Sequence, residues 1–237
     1  MTERTRRGTF ADFRGILSGS VKALSDEELR QRTDRSGSRA EDAVRGSLAL
    51  VSRAADYAAR RHVKQRRKGA SQEPYVNHLA DVVNLLAQSL EEPNPQLLAA
   101  AWLHDVLEDT CPTREEYART RAEIEQQFGP AVLQIVLEVT DDKSLPKEER
   151  KRLQIETTAG KGREARLLKL ADKTSNVFAV AVSPPSNWDT ARIADYIRWA
   201  EDVVASCRGL NAELEKAFDM AAAAARAKIL AIDPRYQ

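Results

Sequence analysis

Cysteine is scarce in this chain: Cys111 and Cys207 are the two it has among 237 residues. They stand far apart and fit neither a zinc-ligand nor a redox spacing. That excludes a disulfide scaffold and a cysteine-built metal centre, and it suits a reducing compartment. No apolar run approaches the roughly 20 residues that a membrane helix needs. The arginine-bearing N-terminus lacks the apolar stretch of a secretory signal. A cytoplasmic protein with no membrane partner is expected. Neither sign of charge is in excess: 37 Lys and Arg face 36 Asp and Glu, for a net charge of +1. Such a balance gives no global attraction for a polyanion, and no nucleic-acid partner is expected; any grip on phosphate must come from local clusters. Strand-like alternation is almost missing. Histidine is scarce too, with His62, His78 and His104 the only three.

What is present is helical periodicity, from about residue 46 to the end, so the fold class is all-α. Apolar faces predict helices over 46–62, 75–90, 96–108, 132–139, 147–156, 163–182, 189–207 and 212–232. A further helix opens at Thr113, whose hydroxyl suits an N-cap, with Glu115 and Glu116 at the positive end of the dipole. Proline and glycine punctuate the pattern at Pro74, Pro93, Pro95, Gly129, Pro130, Pro184 and Pro185. Residues 1–45 differ: they are polar and of mixed charge, and Ser36-Gly37-Ser38 reads as a linker. Phe10, Phe13, Ile16 and Leu17 suffice for one short amphipathic helix. The expected organisation is therefore an N-terminal extension over 1–45, mobile or loosely docked, and one helical domain over 46–237.

The most informative stretch is 97–110, LLAAAWLHDVLEDT. An apolar run ends in His104, Asp105, Glu108 and Asp109. Burying that cluster alone would cost several kcal/mol per charge, and a divalent cation would offset the cost. His78 and Asp172 lie in similarly patterned helices. A single buried histidine is more often a hydrogen-bonded core residue than a ligand, and His62 is read that way. The joint pattern of His78, His104, Asp105 and Asp172 on three separate helices is what a helix-clamping metal site looks like in sequence. Two imidazoles and two carboxylates suit Mn, Fe or Zn better than an all-oxygen Mg site. Four protein ligands leave coordination room for a water whose pKa falls near the metal. Glu108 and Asp109 follow His104 and Asp105 by one helical turn, placed to handle that water's protons.

Two basic clusters complete the inventory. Arg60, Arg61, Lys64, Arg66, Arg67 and Lys68 put six cations in nine residues just before the helix of His78. Lys143, Lys147, Arg150, Lys151 and Arg152 form the second. Each is either a solvated face or a phosphate-binding one, and arginine binds phosphate in two-pronged fashion. Lys169 and Lys173 flank Asp172 and are expected to orient carboxylates around it.

His, then His-Asp, then a distant Asp resembles the HD phosphohydrolase superfamily. EPYVNH (73–78), WLHDVLEDT (102–110), EVTDDKSLPKEERKRLQ (138–154), LKLADKTSN (168–176) and the YIRWA segment from Tyr196 narrow the resemblance. They are similar to strings of the small alarmone hydrolases, the metazoan SpoT homologue group, relatives of the hydrolase half of RelA/SpoT enzymes. The resemblance covers roughly residues 46–220 and implies an HD-domain bundle of nine to ten helices. It implies Mn2+-dependent removal of the 3′-diphosphate of ppGpp and pppGpp, giving GDP or GTP and pyrophosphate. It further implies His78, His104, Asp105 and Asp172 as metal ligands and Glu108 and Asp109 as catalytic carboxylates. Arg67, Lys68, Lys147, Asn176, Arg192 and Tyr196 would hold the guanosine nucleotide. Some members also remove the 2′-phosphate of NADPH, the alternative activity. Leu79 stands where the family often has proline, and Thr174 and Ser175 replace a bulkier pair. The 237 residues leave no room for a synthetase domain, so a hydrolase-only chain is expected. It would meet an alarmone synthetase only through that enzyme's product, and a homo-oligomer is an open expectation.

Overall fold

Residues 37–233 are described by a computed structural model, with side chains from residue 40; the extension up to residue 36, including Phe10, Phe13, Ile16 and Leu17, lies outside the described residues. Among the described residues ten helices follow one another: α1 (Gly37–Arg61), α2 (Val76–Ser89), α3 (Pro95–Leu103), α4 (Val106–Asp109), α5 (Arg114–Phe128), α6 (Pro130–Val139), α7 (Lys147–Thr158), α8 (Arg163–Val182), α9 (Thr190–Ala205) and α10 (Ala212–Ile232). Among the described residues there is no strand, only an isolated antiparallel bridge between Arg66 and Pro74. The all-α reading stands. Of the expected Ser36-Gly37-Ser38 linker, Gly37 and Ser38 already belong to α1.

The caps are those the residue types dictate. Thr113 Oγ1 accepts from Glu116 N at 3.1 Å, Asn94 Oδ1 from Gln96 N at 2.9 Å and Asp189 Oδ1 from Arg192 N at 2.8 Å. Each satisfies a donor that the first helical turn leaves open. Gly129 has φ 88°, a conformation that side chains resist, and joins α5 to α6 with Pro130 opening the new helix.

Helix α8 is the centre of the packing, touching α2, α3, α6, α9 and α10. It buries Leu167, Leu168, Leu170, Ala171 and Val177 along with Lys169, Lys173, Thr174 and Ser175. Alanines let helices approach closely: Ala217, Ala221, Ala222 and Ala225 of α10 are buried beside α8, and Ala54 and Ala58 of α1 beside α3. α3 buries five of its residues, so helices cover it on several sides. Truncating a fully buried side chain such as Phe218 would cost about 3–5 kcal/mol. A frame of this rigidity holds polar groups at fixed separations.

One expected helix is two. The run over 96–108 breaks at His104 and Asp105, where α3 ends and α4 begins. His104 Nδ1 bonds Ala101 O at 2.7 Å. That carbonyl is the one an unbroken helix would offer to the Asp105 amide. Asp105 instead takes φ −98°, ψ −3°, in the sparsely allowed bridge region where active-site residues collect.

Candidate metal centre

The break solves a geometric problem. Neighbours on a helix diverge by about 100°, yet His104 Nε2 and Asp105 Oδ2 lie 3.0 Å apart. α2 brings His78, whose Nε2 is 3.6 Å from Asp105 Oδ2. α8 brings Asp172, whose Oδ1 is 3.2 Å from His78 Nε2 and 3.8 Å from His104 Nε2. The two imidazole rings meet edge to face with centroids 5.3 Å apart. Ligand atoms of His78, His104 and Asp105 all lie within 4.8 Å of one another. The four residues named from the sequence thus converge.

The donor chemistry fits a divalent cation. His104 Nδ1 faces a carbonyl, so it carries a proton, and Nε2 is left as the atom that holds either a second proton or a cation. His78 Nδ1 is 3.0 Å from Ser175 Oγ, and its Nε2 likewise points to the centre. Both Nε2 atoms are buried without a hydrogen-bond partner. Two orphaned imidazole nitrogens facing two carboxylates are unfavourable unless something positive binds between them. Burial acts against charge on both rings. Reinforced by nearby Arg67, it takes His78 down to about 4. On His104 the Asp105 and Asp172 carboxylates overcome it and lift the ring to about 9. Burial pushes the Asp105 and Asp172 carboxyls upward too. His104 overrides it at Asp105, and Lys173 and His78 override it at Asp172, so both are held far below the usual carboxylate range.

Around these four sits a ring of polar groups. Tyr75 OH donates to Asp105 Oδ2 at 2.6 Å. Asn176 Nδ2 donates to Asp172 Oδ1 at 2.6 Å, and Lys173 Nζ to Asp172 Oδ2 at 2.9 Å. Such partners fix ligand orientation. Tyr75 and Ser175 were not singled out as functional in the sequence. The signals were there: Tyr75 immediately precedes the His78 helix, and Ser175 stands three residues after Asp172, one turn along α8.

Glu108 and Asp109 occupy the adjoining turn, α4. Glu108 accepts from the Asp141 amide at 3.2 Å and faces Lys143 and Arg150 at 3.4 and 3.7 Å. Burial, then Asp105 and Asp141, raise its pKa. Asp109 accepts from Lys143 at 2.7 Å and from Gln65 at 2.8 Å. Lys143 therefore belongs to the carboxylate pair. Lys169 bonds Val139 O at 3.1 Å and lies 3.8 Å from Asp141, tying down the loop that carries the Glu108 donor. It does not reach Asp172 directly; Lys173 does.

The first basic run divides. Arg60 pairs with Asp56 on the surface. Arg61 turns inward to Thr110 and Thr120. Arg67 alone of the six has a direct bond into the hydrogen-bond network around the converging residues, at 3.2 Å to Asn176 Oδ1. Lys68 is exposed. Gly69 lets this loop lie on the end of α8, where an added Cβ would collide with the Ser183 carbonyl oxygen. In the second run Arg152 pairs with Glu149 and Glu156, the solvated-face alternative. Lys151 lies over Trp199 at 4.8 Å and near Tyr196 at 5.9 Å. Tyr196 itself leans between Trp188 and Trp199. Arg192 stacks on Trp188 at 4.8 Å. Lys147 and Arg192 are exposed, and both are close enough to Lys151 to depress its pKa, after burial. A cavity of about 520 Å³ opens at the other end of α2, lined by Glu91, Asn94, Glu164 and Glu213; none of the converging residues lines it.

The fold and site define an all-helical protein built around a cluster of two histidines and two aspartates that could hold a cation. The chain belongs to the HD domain family, which it matches over residues 54–198, and the family implies a divalent metal. Among its relatives is the guanosine-3′,5′-bis(diphosphate) 3′-pyrophosphohydrolase MESH1 of Drosophila melanogaster. The two are 45% identical over 163 residues, 69% of this chain and 87% of the fly protein. The MESH1 protein of Homo sapiens is 43% identical over 164 residues, 69% of this chain and 88% of the human one. A solved structure described as a metazoan orthologue of SpoT that hydrolyses ppGpp superposes with a TM-score of 0.67. It is 43% identical, over 73% of this chain and 93% of that one. No helix among the described residues is long and apolar enough to cross a membrane.

Proposed function

We infer that this protein is a Mn2+-dependent pyrophosphohydrolase of guanosine alarmones, releasing pyrophosphate from the ribose 3′ position of ppGpp and pppGpp. The observation that carries the reading is the two buried, unpartnered Nε2 atoms of His78 and His104 facing Asp105 and Asp172. Similarity to the MESH1 hydrolases over most of their length supports the substrate.

In this reading His78, His104, Asp105 and Asp172 hold the cation. When bound, it draws charge from the phosphate oxygens and makes a water more acidic. Mixed nitrogen and oxygen donors favour Mn2+ over Mg2+. Glu108 takes the proton of the attacking water, and the upward shift that burial, Asp105 and Asp141 give its carboxyl makes it a stronger base. The water oxygen bonds to the phosphorus next to the ribose, the bond from that phosphorus to the 3′-oxygen breaks, and the oxygen leaves with a proton delivered by way of Asp109. Arg67, held by Asn176, grips the nucleotide. Lys68, Lys147 and Arg192 supply charge to its phosphates, and Tyr196 a flat surface. The catalytic unit is residues 46–237, with 1–45 as its extension, in the cytoplasm. Any homo-oligomer, and any link to an alarmone synthetase through its product, stands within the same reading.

The test is purified protein with ppGpp and Mn2+, with and without chelator, its products separated. Pyrophosphate and GDP, lost on chelation, are expected. Orthophosphate from NADPH with ppGpp untouched would replace this reading by that of a 2′-phosphatase.

A further inference from the structure

We propose that His62 is a positioning residue for Asp109, acting through the side-chain amide of Gln65. The proposal rests on the reading of Asp109 as a catalytic carboxylate. From the sequence His62 looked like a core residue, and it is buried, 2% exposed, just past the last turn of α1. Its contacts do more than fill space.

Hydrogen-bond chemistry fixes the direction of the chain. An ionised carboxylate only accepts. Gln65 therefore presents its NH2 group to Asp109 Oδ2, at 2.8 Å. That turns its carbonyl Oε1 toward His62 Nδ1, 2.5 Å away. A carbonyl also only accepts, so the His62 proton sits on Nδ1. His62 Nε2 is then a bare lone pair, and it is buried with no partner. Burial holds the ring's pKa below its ordinary value against the pull of Gln65 and the nearby aspartates, in keeping with a neutral imidazole.

The ring is itself held. It stacks on Tyr75, centroids 5.0 Å apart and planes 22° apart, and Tyr75 donates to the metal-site Asp105. One imidazole thus anchors a bond to the proton-handling carboxylate and packs on the tyrosine that orients a metal ligand. The other partner of Asp109, Lys143, is about half exposed at 47% and swings on a long flexible stem. Gln65 without its His62 anchor would be free to rotate its amide. His62 is what makes the Asp109 orientation rigid.

Two variants separate positioning from packing. His62→Phe keeps the ring and its stack but removes the donor. His62→Asn loses ring volume but keeps an N–H near the place of Nδ1. Measured on full-length, Mn2+-loaded protein with ppGpp, His62→Phe should lower kcat about 10–100-fold, the size of comparable supporting-group effects, with KM and Mn2+ affinity within about twofold. His62→Asn should stay within about fivefold of wild-type kcat even though its melting temperature is lower. An active Phe variant beside a crippled Asn variant would overturn the proposal. Imidazole 15N spectra give a reading that needs no substrate: neutral His62 protonated on Nδ1, with that signal perturbed in Gln65→Leu. A proton on Nε2 would also overturn it. Failure of wild-type protein to release pyrophosphate from ppGpp would sink the functional reading instead, leaving the tautomer to decide this one.

Discussion

His78 and Asp172 stand on α2 and α8, and His104 and Asp105 at the break between α3 and α4, with no side chain more than 17% exposed. Lys68, Lys147 and Arg192, expected to meet the substrate, are exposed, on a loop and near the starts of two helices. In the first group a close-packed frame turns one polar atom of each side chain toward a common point. The second has charge and reach but few fixed partners. A metal needs ligands at set distances and tolerates little slack. A polyphosphate is recognised by charge, which acts over several ångströms and tolerates motion. Arg67 is the rim residue that departs from its group, because Asn176 ties it to Asp172.

If the contrast is right, substitutions should lose function in steps from floor to rim. Asp105→Ala should abolish turnover and the rise in melting temperature that Mn2+ gives wild-type protein, read by calorimetric melting; an unchanged rise would remove Asp105 from the metal. Glu108→Gln, one turn further out, should cost about 10²–10⁴-fold in kcat while the Mn2+-dependent melting shift survives. Loss of both together would make Glu108 a ligand. Arg67→Ala removes a charge-assisted bond worth about 1.5–3 kcal/mol. It should act chiefly on KM, by about 10- to 100-fold, with metal affinity intact. If Lys68→Ala did as much, the special standing of Arg67 would go.

The smallest effect is one of pH. Burial raises the Glu108 pKa, with Asp105 and Asp141 adding to it, and Lys143 opposes them. A base must be ionised, so activity falls as pH drops through that pKa. Lys143→Met removes a positive neighbour, which raises the pKa further. The acid limb of the kcat profile should therefore move to higher pH. A limb that stayed in place would mean that Glu108 is not the group that titrates there.

The floor was legible in the sequence because its signals are local. Two of three histidines fall in apolar helices, one followed by Asp105, Glu108 and Asp109. The rim was less legible: a run of six cations does not say that Arg61 turns inward and Arg67 bonds Asn176. The break at His104 was not legible either. LLAAAWLHDVLED has the periodicity of one helix, and nothing local announces that an imidazole will take the carbonyl of Ala101.

The chain by itself settled the all-helical class, most element boundaries and which four side chains would converge. These follow from periodicity, caps and breakers that act within a few residues. Only the folded molecule decided that His104 and Asp105 leave the helix together, that Lys143 pairs with Asp109, and that Gln65 and Tyr75 join His62 to the centre. Such pairings join residues tens of positions apart. Their energies depend on distance and on exclusion of water, and only packing sets those.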